Sequence, residues 1–548
     1  MTLAATGRSV GGMNDVQATQ RAARRDCRVL VVGAGPTGLV LAADLLARGI
    51  TTRIIDKGDG VNLETRAIGV HARALEALDM MGLAERFVDH GQVVRWFSFY
   101  TGGRHRLSLD LARNGTRFPF MLDIPQHHTE RLLRERVAEL GGVIEQGTEL
   151  TGLRDETAGI TATVRDAAGQ PHAITAGYVV GCDGAHSRVR HELGLTFHGH
   201  PYPQDWLLAD VRLDWARPED EVHAFFRSDG VPLVCFPMRE HQWRLVLPFA
   251  GDRAPGPPDL GEIQRLVDQR APQPVTVSDP TWLATFNCHR RSTDTYRRGH
   301  VLLAGDAVHI HTPAGGQGMN TGITDAHNLG WKLALVAAGR ASGQLLDSYG
   351  RERQPVAAQV LGLTHTLVRL GTLRHPVPRA LRDAIVPAAF RVGPVHRRAV
   401  RRWTQVNVGY PASGLTRPGP GRDRPRPGER VPDVEVRTPA GTSGLFSVLR
   451  RGRHALVVTG ADPADALAGP ALEPYRDLFE VVTGGPRDGH AFRGGRAGSV
   501  VLIRPDGYVA ACGRPDRMQP VLGYLRDLSG AGEVSRPGSP ARAVATAR

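Results

Sequence analysis

Residues 28–38 read RVLVVGAGPTG, and this stretch decides the fold of the N-terminal part of the chain. The apolar run from Arg28 to Val32 predicts a buried strand, and the leucines after Gly38 predict a helix that ends near Gly49. A second strand is predicted from Thr51 to Asp56. Strand, helix and strand in this order form a βαβ unit, which opens a doubly wound α/β domain.

The glycines of this stretch follow the GxGxxG pattern of a dinucleotide-binding turn. The first glycine allows the tight turn, the second lets a pyrophosphate approach the backbone, and the third lets helix and strand pack closely. The helix N-terminus adds free amides and a positive dipole end. The acid that ends the second strand would accept hydrogen bonds from ribose hydroxyls. The residues predicted to bind the dinucleotide here are Gly33, Gly35, Pro36, Thr37, Gly38, Asp56 and Lys57.

Two more motifs follow strands later in the chain. Cys182-Asp183-Gly184 comes after an apolar strand, and Gly305-Asp306-Ala307 comes after another. The second motif leads into a glycine-rich loop, residues 315–320, which opens a long helix. An Asp-Gly turn alone is usually structural, but the order and spacing of the three motifs make the combination specific.

Together the three motifs resemble those of the class A flavoprotein monooxygenases, the aromatic and polyketide hydroxylases that share a fold with para-hydroxybenzoate hydroxylase and phenol hydroxylase. The resemblance covers about residues 28–360. It implies FAD as cofactor and NADPH or NADH as co-substrate. It implies that O2 supplies an oxygen atom, through a flavin hydroperoxide, to a phenolic or polycyclic polyketide substrate.

The resemblance also implies roles for single residues. Asp306 would hold the ribitol chain, and Pro313 would lie near the flavin carbon that carries oxygen. The amides of Gly318 and its neighbours would face the pyrimidine edge, where a helix N-terminus stabilises negative charge on the reduced ring. Thr312 stands where the family often has a further proline. The other cofactor contacts implied in this way are Arg66, Gln126, Asp183, Gly316, Met319 and Asn320.

Hairpin and strand patterns predict that an antiparallel sheet is inserted into the cofactor domain and forms a wall of the substrate pocket. The predicted parts are a lead-in, 1–25; an FAD-binding domain, 26–92, 120–190 and 296–375; a substrate-binding sheet domain, 93–119 and 191–295; a helical segment and linker, 376–430; a thioredoxin-like domain, 431–530; and a tail, 531–548. The candidates for the pocket wall are Phe236, Met238, Trp243, Phe286 and Pro313.

Composition argues against several classes of protein. The net charge of +13 comes almost wholly from dispersed arginines and aromatic residues are only 6%, so no nucleic-acid platform is expected. The five cysteines form no CxxC pair, which predicts a redox-inactive C-terminal domain, and His309 and His311 lack a third metal ligand. No secretory signal or membrane span is predicted, and a reducing cytoplasm is expected.

Alternative functions stay open at this point. A Baeyer–Villiger oxygenase of a polycyclic ketone would use the same cofactor, and a non-catalytic flavin-binding regulatory or structural subunit would bind FAD without turnover. A flavin halogenase is disfavoured because Lys57 and Lys332, the only lysines, do not match the position of its catalytic lysine. The chain is expected to be a monomer or a homodimer.

Overall fold

The protein is described by a computed structural model that covers residues 26–61, 67–156, 159–226, 232–249, 258–310, 312, 315–371, 373, 375–417, 425–460, 470–484 and 498–529. The chain divides into two compact units. The first comprises residues 1–337 and 349–408, and the second comprises residues 338–348 and 409–548. The short segment 338–348 thus groups with the C-terminal residues, although the sequence placed it in the FAD-binding domain.

A largely parallel sheet forms the core of the first unit. Its strands run in the order Arg297–Arg298, Val301–Leu303, Pro171–Gly181, Cys27–Val32, Thr52–Ile55 and Ile144–Glu145, and Gly159–Arg165 and Glu149–Glu156 extend it as an antiparallel pair. The helix Pro36–Ala47 packs against the helices Gln126–Glu139 and Gly318–Ala337. The non-consecutive strand order is that of the predicted doubly wound domain.

Close backbone approach explains two of the glycines in the first motif. Gly33 has φ +104°, and a Cβ atom there would lie 2.5 Å from the carbonyl oxygen of Cys182. A Cβ on Gly38 would lie 1.9 Å from the carbonyl oxygen of Gly33. The strand, the turn and the helix can therefore meet only if both positions lack a side chain.

A second sheet of eight strands is built from distant parts of the chain. Its order is His309–Ile310, Thr276–Ser292, His198–Asp214, Gln242–Phe249, Leu233–Pro237, Glu221–Phe226, Trp96–Thr101 and Arg104–Asp110. The sheet is antiparallel as predicted except at one pair, because Glu221–Phe226 and Trp96–Thr101 run parallel. The hairpin of residues 96–110 enters from a separate part of the chain, so no tight turn forces it to run antiparallel. The sheet also includes His309–Ile310, from the range predicted for the cofactor domain.

The two faces of this sheet bury different sets of side chains. One face packs against the helix Leu260–Asp268, with Trp243, Leu245 and Ile263 in a common core. The opposite face carries Phe97, Phe236 and their neighbours. Side chains alternate between the faces along each strand, as the two-residue period of a strand requires.

The rest of the first unit consists of a small sheet and helices. Gly69–Val70, Met121–Asp123 and Gln92–Val94 form a three-stranded sheet, in the order given. The remaining helices are Ala72–Met80, Ala84–His90, Arg188–Glu192, Asp347–Gly371, Pro376–Phe390 and Gly393–Trp403, and short 3-10 helices span Leu111–Asn114, Arg239–His241 and Gly305–Ala307. Among the residues that the structure describes, no helix is both long and apolar enough to cross a membrane.

The second unit contains a six-stranded mixed sheet. Its order is Gly441–Gly444, Glu435–Thr438, Phe479–Gly484, His454–Thr459, Ser499–Ile503 and Val509–Gly513, and its helices are Gly343–Leu346, Leu445–Leu449, Pro470–Leu478 and Gln519–Leu528. A central parallel pair is followed by an antiparallel hairpin and a final helix. This βαβ and ββα sequence is the arrangement expected of the thioredoxin-like domain.

Candidate active site

A cavity of about 970 Å³ in the first unit joins the loops of the parallel sheet to one face of the eight-stranded sheet. The loop residues on its wall that belong to the three motifs are Gly35, Pro36, Thr37, Cys182, Gly184, Asp306, Gly315, Gly316, Gly318 and Met319, together with Gln126. The eight-stranded sheet contributes an apolar and aromatic wall, which includes Phe97, Leu208, Phe236, Val246 and Phe286. The cavity is therefore continuous, and it is lined by loop backbone in one part and by aromatic side chains in the other.

The first glycine motif presents backbone to this space. Gly35 caps the helix Pro36–Ala47 in an extended conformation, and no side chain caps the helix N-terminus. A Cβ atom on Gly35 would meet no atom within 4 Å, so the backbone here borders open space. Free amides at a helix N-terminus next to such space suit an anionic pyrophosphate.

Asp56 and Lys57 do not line the cavity, although both were predicted to contact the cofactor. The Asp56 carboxylate accepts hydrogen bonds from the amides of Ala34, at 2.5 Å, and Gly58, at 2.7 Å. The Asp56 carboxylate thus stabilises the glycine turn through the amide of Ala34. Lys57 is exposed at the surface.

Asp306 lies on the cavity wall in the turn Gly305–Ala307, and its side chain is exposed. A cluster of buried charges holds this turn. Asp325, on the helix Gly318–Ala337, accepts hydrogen bonds from the amide of Gly305 at 3.3 Å, from His309 Nε2 at 2.8 Å and from Arg353 Nε at 2.5 Å. Burial alone would raise the pKa of Asp325, but Arg353 and His309 outweigh it and hold the pKa below its usual value. An ionised Asp325 therefore fastens the Asp306 turn to the helix.

The loop before this helix is held by side-chain amides. Asn320 is buried, and it accepts from the amide of His71 at 2.7 Å while its Nδ2 donates to the carbonyl groups of Gly69 and Gly316, at 2.8 and 2.7 Å. Gln317 donates to the carbonyl oxygens of Gly315 and Trp403, at 2.9 and 3.0 Å. The side chain of Asn320 thus shapes the loop and does not itself line the cavity.

His71 supports the same loop as a neutral ring. Its Nε2 donates to the carbonyl oxygen of Gly315 at 2.8 Å. Burial lowers the pKa of His71 to about 4, and the hydrogen bond to Gly315 offsets only part of that effect. The neutral ring therefore supports the loop through its hydrogen bond to Gly315.

Two other predicted cofactor residues have clear local roles. Asp183 accepts from Ser187 Oγ at 2.6 Å and from the amide of Val189 at 3.1 Å, so its carboxylate orders the start of the helix Arg188–Glu192, while Gly184 lines the cavity. Gln126 lines the cavity at the start of its helix and donates to Glu130 at 2.9 Å. Arg66, Pro313 and His311 lie outside the described residues.

The structure corrects two of the candidates for the substrate pocket. Phe236 and Phe286 line the cavity, but Trp243 and Met238 do not. Trp243 is 1% exposed and packs against Trp215 on the opposite face of the sheet, with ring centroids 5.0 Å apart. Its neighbour Arg244 takes the cavity side, because successive residues of a strand point to opposite faces. Met238 lies beyond the end of its strand, at the start of the 3-10 turn Arg239–His241.

Sequence reasoning missed several residues of the cavity wall. Arg244 is buried and forms a bidentate ion pair with Asp210, with both contacts at 2.7 Å. Arg190 donates to the carbonyl oxygen of Ala307 at 2.9 Å and stacks over Phe197. Trp403, the last residue of the helix Gly393–Trp403, also lines the cavity. The alternation around Trp243 could have identified Arg244, but no local pattern marks the other two.

Asp123 is a buried carboxyl group directly behind this wall. It is 1% exposed, and neither carboxylate oxygen has a hydrogen-bond partner among the described residues. Burial raises its pKa well above the usual range, although Arg244 works in the opposite direction. A Cβ on Gly69, which lines the cavity, would lie 3.4 Å from Asp123 Oδ1. Asp123 is therefore a buried carboxyl group close to the cavity whose protonated form the fold favours.

The donors and open glycine positions of the cavity fit FAD. An extended dinucleotide needs an exposed helix N-terminus for its pyrophosphate and backbone amides for its flavin ring. Gly35 and the residues 315–319 line the cavity and would supply these groups. Asp306 offers a carboxylate on the wall of the same cavity. These residues would hold the cofactor.

Comparisons with known proteins agree with this geometry. A family model described as FAD binding domain matches residues 26–364, and one described as aromatic-ring hydroxylase, C-terminal, matches residues 424–529. The 6-methylpretetramide 4-monooxygenase of Streptomyces rimosus is 36% identical over 93% of this chain and 95% of that protein. The pentachlorophenol 4-monooxygenase of Sphingobium chlorophenolicum is 32% identical over 83% of each chain.

A solved structure extends the likeness to three dimensions. The anhydrotetracycline hydroxylase from Streptomyces rimosus superposes with a TM-score of 0.76 at 31% identity, and the match covers 92% of this chain and 99% of that one. The first unit thus matches an FAD-binding family, and the second unit matches an aromatic-ring hydroxylase family. The chain therefore belongs to the FAD-dependent aromatic-ring hydroxylases, and it is a flavoprotein monooxygenase.

Proposed function

We propose that this enzyme works in the cytoplasm, where it uses NAD(P)H and O2 to hydroxylate a ring carbon of a polycyclic, polyketide-type phenol. The observation that carries the proposal is the continuous cavity, in which the FAD-binding loops open directly onto the aromatic wall of the eight-stranded sheet. A flat aromatic substrate would lie against Phe97, Phe236 and Phe286. Aromatic rings favour offset-stacked or edge-to-face contacts with such a wall.

The protein itself positions the substrate, excludes water from the cavity and stabilises charge there. When bound, FAD accepts a hydride from NAD(P)H and activates O2, which is chemistry that no side chain of this chain provides. The N-terminus of the helix Gly318–Ala337 stabilises negative charge at the cavity. The apolar wall excludes water, and the buried Arg244 presents a guanidinium that could orient a substrate oxygen.

Relatives favour a large substrate over a simple phenol. Three of the similar proteins are named for tetracycline-type substrates, and one for pentachlorophenol. The tetracycline-type relatives match this chain over 89–93% of its length. The cavity volume of about 970 Å³ has room for the flavin end of FAD together with a substrate of several fused rings.

The test is to purify the protein, record its flavin spectrum and follow NAD(P)H oxidation with phenols and polycyclic aromatic polyketides under 18O2. The proposal predicts that one polycyclic substrate stimulates oxidation and gains a single 18O atom on a ring. A lactone or ester as product would instead identify a Baeyer–Villiger oxygenase. Bound FAD with no stimulation by any polycyclic polyketide would overturn the proposed substrate class.

Two neighbouring strands offer a matched pair of variants for the substrate wall. Phe236→Ala should raise KM for the substrate with little loss of stability, because Phe236 is only partly buried and faces the cavity. Trp243→Ala should lower the free energy of unfolding by about 3–5 kcal/mol, because it empties a buried site in the core on the opposite face. Steady-state kinetics and chemical denaturation measure the two effects. Equal effects of both variants on KM would contradict the assignment of the faces.

A further inference from the structure

A buried residue with a left-handed backbone follows the helix Gly393–Trp403. Gln405 has φ +60° and is 3% exposed. The other described residues that combine a positive φ with a side chain are Glu240, His241 and Asp279, and all three are exposed. Glycine or asparagine usually occupies the left-handed position after a helix, because other side chains strain the backbone there. The side chain of Gln405 therefore has to make contacts that offset this strain.

The side chain of Gln405 reaches the loop that precedes the helix Gly318–Ala337. Its Nε2 donates a hydrogen bond to Gln317 Oε1 at 2.6 Å. The Nε2 atom of Gln317 donates in turn to the carbonyl oxygen of Trp403 at 3.0 Å. Both ends of the buried Gln317 amide group are thus held by residues 403–405, and Gln317 itself lines the cavity.

The first residue of this segment belongs to the wall of the substrate pocket. Trp403 lines the cavity and meets the ring of Phe97 edge-on, with the ring centroids 5.1 Å apart. Its Nε1 has no hydrogen-bond partner among the described residues, although the side chain is almost fully buried. A buried donor without a partner destabilises the protein, and an oxygen atom of a bound substrate would satisfy this donor.

We propose that residues 403–405 connect the substrate to the flavin-binding loop: Trp403 binds the substrate, and Gln405 positions the loop through Gln317. The Trp403 part rests on the proposed function, whereas the Gln405 part requires only that residues 315–319 hold FAD. In the coupled reaction NAD(P)H, a proton and O2 yield NAD(P)+, one oxygen atom in a ring C–H bond and one in water. When the loop is displaced, the same electrons reduce O2 to hydrogen peroxide and the substrate is released unchanged.

Gln405→Gly tests the contact with the loop. Glycine fits the left-handed backbone, so the apoprotein should unfold at the same denaturant concentration as the wild type or at a higher one. FAD should nevertheless leave the variant at least about tenfold faster, measured by flavin fluorescence after dilution, because Gln317 loses one of its two supports. The matched control is Glu240→Gly, which removes a left-handed side chain from an exposed turn and should release FAD at the wild-type rate.

Substrate measurements separate the role of Gln405 from that of Trp403. The probe is the compound of the phenol and polyketide panel that stimulates NAD(P)H oxidation most. Gln405→Gly should keep its dissociation constant but form at least about threefold more hydrogen peroxide per NAD(P)H, because the loop is displaced. Trp403→Phe should raise the dissociation constant about tenfold, because phenylalanine keeps an aromatic ring but lacks the N–H donor. It should release FAD at the wild-type rate, since the oxygen that holds Gln317 belongs to the main chain.

Several results would overturn the inference. Wild-type FAD release and peroxide yield in Gln405→Gly would exclude the positioning role, and so would a less stable apoprotein whose reaction stays fully coupled. Unchanged substrate affinity in Trp403→Phe would exclude the substrate contact. If no compound of the panel stimulates NAD(P)H oxidation, the proposed function fails and the Trp403 part fails with it. FAD release from Gln405→Gly and Glu240→Gly still decides the role of Gln405 in that case.

Discussion

Gly33 and Gly35 stand two residues apart but are glycines for different reasons. Gly33 has a positive φ and lies against the backbone of Cys182, whereas Gly35 has an ordinary extended conformation and an open surrounding. Gly33→Ala should therefore lower the free energy of unfolding of the apoprotein by about 3 kcal/mol. Gly35→Ala should leave that stability nearly unchanged and weaken FAD binding at least about tenfold, because its methyl group enters the cofactor space. Denaturation of the apoprotein and FAD titration separate the two effects; loss of apoprotein stability in both variants would contradict the distinction.

Asp123 gives the folded protein a pH dependence of known sign. Because burial raises its pKa, the folded state holds a proton that the unfolded chain releases, so its contribution to stability is full below the ordinary aspartate pKa. That contribution declines as the pH rises toward the raised pKa, by at most about 1.4 kcal/mol per pH unit. Asp123→Asn keeps the shape and removes this slope. Thermal melts of both proteins over a pH series that starts near the ordinary aspartate pKa of about 3.9 should converge at the low end of the series. Parallel curves would show that Asp123 is ionised in the folded state.

At the scale of elements, the helix Gly318–Ala337 connects the fold to the cofactor site through Asp325. Asp325→Asn should loosen the Asp306 turn, since it weakens the pairing with Arg353 and His309. The matched variant is Glu352→Gln, which disrupts the equally buried pair with Lys332 on the same helix but does not reach the turn. Each should cost the apoprotein about 3–5 kcal/mol, and only Asp325→Asn should also speed the release of FAD.

The same helix provides a pH test for Asp325. Because the pKa of Asp325 is lowered in the folded state, its stabilising contribution is present above the ordinary aspartate pKa and is lost as the pH falls through the lowered pKa. Stopped-flow measurement of FAD release should therefore show acceleration in acid for the wild type. A Glu352→Gln protein that releases FAD as fast as Asp325→Asn would show that general loosening, and not the turn, controls retention.

Local sequence patterns predicted the elements that depend on neighbours in the chain. The βαβ opening and the glycine turn follow from residues 28–56, and the turn around Asp306 follows its strand as expected. The parallel pairing of Trp96–Thr101 with Glu221–Phe226 was not predictable, because it joins segments more than a hundred residues apart. Arg190 and Trp403 likewise line the cavity next to residues that are distant in sequence. The burial of Asp123 depends on three short strands that come together only in the folded chain.

At the scale of the whole molecule, all five cysteines are buried and form no disulfide, in both units. Burial raises the pKa of Cys27 to about 11 and raises those of Cys182 and Cys235 further. Cys512, in the second unit, contacts the carbonyl oxygen of Pro425. The native FAD-loaded protein should therefore react with less than one equivalent of a thiol reagent at pH 8, and all five thiols should react after unfolding. Rapid labelling of Cys512 in the native state would point to a redox role for the second unit.

The alternation of side chains across the eight-stranded sheet affects how the enzyme can diverge. Leu208, Phe236 and Val246 face the cavity, while the residues next to them in sequence, such as Ala209, Cys235 and Leu245, build the opposite core. Every second codon of these strands thus encodes substrate range, and the codons between encode the fold. A gene library restricted to the cavity-facing codons would sample new substrates while the core stays intact, so catalytic diversity and foldability can evolve separately along the same short strands.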